Sequence, residues 1–192
     1  MKKIILTVFA ATSLLLYCTP SFAFSVSVGK PMTQTITGKQ AGKSYGNAPD
    51  KTSGYFLGVS FLSFGLGIDS YTTKFKTGDC NGCWSIVNDG GLKTNMTNIF
   101  YQLPVPVVNL IIGLGKGTTE YDCKYSFGDC SAFYDKGSAT QWYTSIGMPI
   151  IPFFDIHLSY RSITAKNIKN KDDGRKHDNS GSVTGVGIAL NF

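Results

Sequence analysis

Apolar residues recur at every second position in a series of short segments. Val186, Ile188, Leu190 and Phe192 alternate with Gly185, Gly187, Ala189 and Asn191. Phe154, Ile156, Leu158 and Tyr160 alternate with Asp155, His157, Ser159 and Arg161. The same period runs through Gln141–Gly147, Val108–Gly115, Phe64–Asp69 and Tyr55–Leu62, and more weakly through Thr97–Leu103 and Phe24–Val28. Alternation of this kind predicts β-strands with one apolar face and one polar or small face. About eight strands follow from these segments.

The connections alternate in length. Short turns fall at Leu62-Ser63, at Pro104-Val105-Pro106 and around Pro149 to Pro152. Long polar loops are expected over Lys30 to Ser53, Lys76 to Gly91, Asp122 to Ser138 and Ala165 to Gly181. A meander with short turns at one end and long loops at the other is the pattern of a membrane barrel. The faces point the same way. Gly58, Gly65, Gly67, Gly113, Gly115, Gly147, Gly185 and Gly187 share one face with Asp69, Asn98, Gln102, Asp155, His157 and Arg161. That face is too poor in apolar volume for a core and suits a narrow polar lumen; the other suits lipid. The expected fold is all-β, an eight-stranded antiparallel up-and-down transmembrane β-barrel. Its lumen would be filled by side chains, because eight strands enclose little space. Phe61, Tyr101, Phe153 and Phe192 near the short turns, and Tyr55, Trp142 and Tyr160 higher up, would form interfacial girdles.

Composition agrees. The chain of 192 residues is 42% hydrophobic and 16% charged, with 22 glycines and one glutamate, too apolar for disorder and too glycine-rich for a helical protein. No segment approaches the roughly 18 apolar residues of a spanning helix. Residues 1–23 read as a secretory leader: Lys2 and Lys3, an apolar run from Ile4 to Tyr17, then Pro20 and a small-x-small cleavage pattern at Ser21-Phe22-Ala23. The mature barrel would be residues 24–192. Cys18 goes with the leader, and Tyr17 before it disfavours a lipidation site. Cys80, Cys83, Cys123 and Cys130 remain, an even number in an exported chain.

The terminal strand Gly185–Phe192 resembles the C-terminal signal read by the outer-membrane barrel assembly machinery, with Leu190 where an aromatic is often found. Leu158-Ser159-Tyr160-Arg161 and Leu110–Gly115 are similar to strands of small outer-membrane barrels of the OmpA/OmpX/opacity-like superfamily. The resemblance implies the bacterial outer membrane, both termini in the periplasm and four long loops outside. Members serve as structural proteins, adhesins, narrow pores and lipid-modifying enzymes. Expected partners are outer-membrane lipids and lipopolysaccharide, the assembly machinery acting on Phe192, and host or environmental surface ligands. Nucleic acid does not fit the compartment.

The candidate chemistry is thin. Cys80-Asn81-Gly82-Cys83 could be a redox motif, but Asn-Gly makes a turn where that chemistry wants a helix N-terminus. A zinc site from all four cysteines is a second reading. Two disulfides in exposed loops is the plainest. Three pairings exist; Cys80–Cys83 and Cys123–Cys130 close most easily. His157-x-Ser159 looks like the dyad of lipid A deacylases, with Asp155 or Glu120 as orienting acid. Tyr160 stands where that family has Asn, and His157 falls near the short-turn end. The alternative is a lumen network of Asp69, Asp155, His157 and Arg161, since buried charges must be paired. Loop four carries Lys166, Lys169, Lys171, Arg175, Lys176 and His177 among Asp172, Asp173 and Asp178. This reads as a solvated loop or as a contact for phosphates or glycans. The Gly-x-Gly pairs lie inside strands and are not nucleotide loops. No cofactor or metal is called for. The leading function is an envelope structural or surface-interaction role carried by the loops. The alternatives are a lipid A-modifying hydrolase using His157 and Ser159, and a soluble periplasmic ligand-binding barrel with the opposite face inward.

Overall fold

A computed structural model of the chain describes residues 24–38, 49–75, 90–105, 108–125, 128–151 and 153–192. Eight long strands meander antiparallel and close on themselves. They are β1 (Phe24–Ile36), β2 (Pro49–Phe61), β3 (Phe64–Phe75), β4 (Gly91–Val105), β5 (Val108–Asp122), β6 (Gly137–Ile151), β7 (Phe154–Thr164) and β8 (Gly181–Asn191). Each strand pairs with its sequence neighbours, and β1 pairs with β8 to shut the barrel. Closure leaves no edge strand, so every ladder donor and acceptor has a place within the sheet.

The alternating segments lie where the pattern puts them, with the apolar positions outside. Leu57, Val59, Leu66, Ile68, Ile99, Leu114, Ile156, Leu158 and Ile188 are all exposed, while Asp69, Asn98, Gln141, Asp155, His157 and Arg161 are buried. This corrects the soluble ligand-barrel alternative, which needed the apolar face inside. An uninterrupted apolar surface of this size has no solvent-facing rationale in a monomer. Small inward residues admit large ones opposite. A Cβ on Gly113 would run into the Tyr143 ring, and one on Gly65 into Phe100.

The turn between β2 and β3 is Leu62-Ser63, both left-handed at φ 47° and 73°. That is the hairpin geometry whose twist matches the flanking strands. Register shifts occur at Pro31/Thr33, Pro49/Thr52 and Pro149/Ile151. Each has a proline, which cannot donate to the ladder.

The strands outrun the alternating segments at the loop end. β1 continues to Ile36, where a loop was expected from Lys30, and β2 begins at Pro49. Thr33 and Thr184 share a hydrogen bond of 2.6 Å, and Thr35 and Ser182 one of 2.7 Å. Hydroxyl pairs replace apolar contacts here, so the strand persists without a hydropathy signal.

Candidate functional site

The inward side chains form layers. In the middle, Asp69 accepts from Arg161 Nε at 3.0 Å, from Arg161 Nη2 at 3.3 Å and from Gln141 Nε2 at 2.6 Å. Gln141 Nε2 also donates to Asn98 Oδ1 at 2.6 Å. The Arg161 guanidinium lies between two rings, 3.6 Å from the Phe56 centroid and 4.5 Å from that of Tyr143. Arg161 is 6% exposed and Asp69 2%. Strand alternation explains the placement: β3, β4, β6 and β7 each send one polar residue inward at this height. The plane of the guanidinium satisfies both the carboxylate and the rings.

A second polar layer lies toward the short turns. Asp155 Oδ2 accepts from Asn191 Nδ2 at 2.8 Å and from Asn109 Nδ2. His157 Nε2 stands 3.8 Å from the same carboxylate oxygen, within ion-pair range but beyond a hydrogen bond. His157 Nδ1 is 3.3 Å from Ser145 Oγ. Asp69, Asp155, His157 and Arg161 therefore all face the lumen but belong to two separate clusters. The sequence reading put Asn98 on the lumen face, but did not single out Gln141, Asn109, Asn191 and Ser145 as partners. Their inward parity was visible, but the cross-strand register that selects partners was not.

His157 and Ser159 share a face without forming a dyad. The Ser159 hydroxyl donates to the Gly185 carbonyl at 3.2 Å, and His157 engages Ser145 instead. Glu120 lies far up β5 in an ion pair of 2.9 Å with Lys136. Between the two layers is a cavity of about 50 Å³ bordered by Phe100, Tyr143, His157, Ser159 and Arg161. That is room for a few waters. A buried apolar cluster of Phe56, Tyr71, Met96, Ile163 and Val183 also fills the interior. The barrel is plugged by its own side chains.

The second candidate site is the loop end. Cys123 and Cys130 form a disulfide, with Cα atoms 5.3 Å apart. Cys80 and Cys83 lie outside the described residues, as does the leader at 1–23. The disulfide closes a turn in which Lys124–Tyr125 pairs with Gly128–Asp129, followed by a 3-10 turn at Cys130–Ala132. Loop four folds its own ladder, Ile168–Lys169 against Lys176–His177. The two loops then join. Asp135 N–H donates to the Lys169 carbonyl at 2.9 Å, Lys171 N–H to the Phe133 carbonyl at 2.9 Å, and Lys171 Nζ to the Ser131 carbonyl at 2.7 Å. His177 packs edge-on against Tyr121 and Tyr134, and Ile168 is fully buried. Loop four was expected as a solvated loop or as a contact for phosphates or glycans. Its Lys and Arg residues are exposed, while Ile168 and His177 pack against the third loop and β5 and make the loop half of a folded head.

A closed up-and-down barrel of eight strands, apolar outside and filled with polar and aromatic side chains within, is the fold of the small outer-membrane barrels. No protein-family model matches the chain, and neither does any curated protein. Solved structures do. Neisserial surface protein A is 14% identical with a TM-score of 0.62, the alignment covering 88% of this chain and 97% of that one. Outer membrane protein W of E. coli is 12% identical with a TM-score of 0.54, over 88% and 97%. Ail, the attachment invasion locus protein of Yersinia pestis, solved with the heparin analogue sucrose octasulfate, is 18% identical with a TM-score of 0.53, over 88% and 97%. At these identities the likeness is one of fold.

Proposed function

We propose that this protein is a bacterial outer-membrane barrel that works by surface contact through the head built from its third and fourth loops. In this reading residues 1–23 are the export leader, Phe192 ends the assembly signal, and both termini face the periplasm. The observation that carries the proposal is the inequality of the two ends. One end has short, aromatic turns. The other has a folded, disulfide-closed head bearing exposed Lys166, Lys169, Lys171, Arg175 and Lys176.

The chemistry of the head favours polyanions. Lys169 and Lys176 stand directly opposite in an antiparallel ladder. Like charges in that position oppose the fold, and a bound sulfate or phosphate would offset the repulsion. Lys171 and Arg175 are partly matched by Asp135 at 3.7 Å and Asp173 at 3.3 Å, whereas Lys166, Lys169 and Lys176 have no acidic partner among the described residues. Ail supports the class of ligand, having been solved with a heparin analogue.

The test uses cells displaying wild type or the K166S/K169S/K176S variant. Wild-type cells should adhere to immobilised heparin, less so as salt rises, and the variant should lose most of that adhesion at equal surface expression. Equal adhesion would refute the polyanion reading. Recovery of wild type as a soluble, non-heat-modifiable product would refute the membrane barrel itself.

A further inference from the structure

The packed head brings two phenols and an imidazole together. Tyr121 stands near the top of β5, Tyr134 follows the 3-10 turn of the third loop, and His177 lies in the ladder of the fourth. The ring centroids of Tyr121 and Tyr134 are 4.9 Å apart, with the planes at 66°. The imidazole completes a triangle, 6.0 Å from the Tyr121 ring and 5.5 Å from that of Tyr134. All three side chains are half-buried, packed on one another yet open to solvent on one side.

The Tyr121 hydroxyl is placed on a base. It stands 3.3 Å from His177 Nδ1 and 3.2 Å from Asn179 Oδ1, and Asn179 Nδ2 donates to it at 3.1 Å. Asn179 is 1% exposed and holds the phenol in place, but an amide oxygen takes up no proton; the imidazole does. Tyr134 is pinned through its backbone, its N–H donating to the Cys130 carbonyl at 2.9 Å and the residue bridging to Asn170. Ring packing alone would be served by Phe at both positions. The spacing suits a covalent bond. Two phenols joined through ortho carbons have centroids about 4.3 Å apart, two ring radii and one C–C bond, so this pair at 4.9 Å is about 0.6 Å short of contact.

We propose that Tyr121 and Tyr134 are an oxidative crosslinking site, joined as dityrosine when a haem peroxidase charged with hydrogen peroxide acts on the head. Each phenol gives up one electron and its hydroxyl proton; His177 takes the proton of Tyr121, and solvent that of Tyr134. The two radicals couple ortho carbon to ortho carbon, and the displaced ring hydrogens move to the oxygens, restoring both phenols. In sum the protein loses two hydrogens and one peroxide becomes two waters. The bond from Tyr121 to Tyr134 encloses the Cys123–Cys130 bridge. A turn closed reversibly by sulfur is then closed irreversibly by carbon, and the head keeps its shape after reduction. The site does not depend on the polyanion reading.

The test folds the full mature chain in detergent, treats it with a haem peroxidase and hydrogen peroxide, then reduces, alkylates and digests it with trypsin. The peptides 117–124 and 125–136 should appear joined, lighter than their sum by two hydrogens and with dityrosine fluorescence. Fragmentation should place the bridge on Tyr121 and Tyr134, and Y134F with the heat-modifiable mobility of a folded barrel should lose it. Absence of the joined peptide from wild type, or its persistence in Y134F through Tyr125, overturns the assignment. H177F keeps an aromatic ring beside the phenols and removes the base. Its initial rate should fall by about tenfold, less than a positioned base usually contributes because water also takes the proton. An unchanged rate overturns the part given to His177. Crosslinked protein should resist protease within 123–136 after its disulfide is reduced, while reduced protein without the crosslink is cut. Equal cutting of the two overturns the crosslink as a second closure of the turn.

Discussion

Asp69 and Arg161 depend on each other because each is buried where water cannot replace its partner. Asp69 accepts three hydrogen bonds, two of them from Arg161. Replacing Arg161 by Met removes the countercharge and leaves a carboxylate inside the barrel. Breaking a buried pair from one side costs about 3–5 kcal/mol, whereas replacing both members by uncharged residues costs far less. Urea unfolding in micelles should therefore show R161M strongly destabilised and D69N/R161M restored toward wild type. A neutral R161M would mean that the pair is not what holds this layer. The pairing also marks a limit of the sequence. Both residues were visible as inward charges from strand parity. That Asp69 meets Arg161, while Asp155 meets Asn109 and Asn191, depends on the stagger of strands distant in the chain, and no local pattern encodes it.

Among the elements, the lower halves of the strands were legible and the upper halves were not, for a reason rooted in their surroundings. Where the outward face is apolar, period two stands out in hydropathy. Above that band both faces are polar, as in Thr33-Gln34-Thr35, and the strand continues on β-propensity and hydroxyl pairs alone. The head was illegible for a different reason. Its hydrophobic content is a few residues, Ile168 and the rings of Tyr121, Tyr134 and His177, drawn from segments far apart in sequence. The one local signal was the cysteine spacing, and it did give the Cys123–Cys130 bridge. Cys130 is buried and its N–H donates to the Cys123 carbonyl at 3.0 Å, so the bridge anchors the base of the turn that loop four packs against. C123S/C130S should leave the barrel's heat-modifiable mobility unchanged while cleavage by added protease within 123–136 rises at least tenfold. Such a disulfide is typically worth about 2–4 kcal/mol, enough to open a local unit without melting the whole. Unchanged cleavage would show that the ladder contacts with loop four suffice.

For the whole molecule, the decisive event is the meeting of the first and last strands. β1 and β8 pair from Ser25 opposite Asn191 to Ile36 opposite Gly181. Beyond the last rung, Phe192 N–H donates to the Phe24 carbonyl at 2.8 Å and Phe24 N–H to the Phe192 carbonyl at 3.2 Å. The Phe192 ring itself contributes little inside the protein. It is exposed and touches the Phe24 ring only at a centroid distance of 6.3 Å. F192A keeps both backbone bonds, so the purified chain should refold in detergent with stability within about 0.5 kcal/mol of wild type, as for other surface changes. If the ring is instead read by an assembly machine before the barrel closes, the same variant in cells should accumulate in the periplasm and be degraded. The two measurements separate a seam that needs Phe192 from a signal that needs it. Normal assembly of F192A in cells removes the signal role, and failure to refold in detergent transfers the residue's importance to the seam.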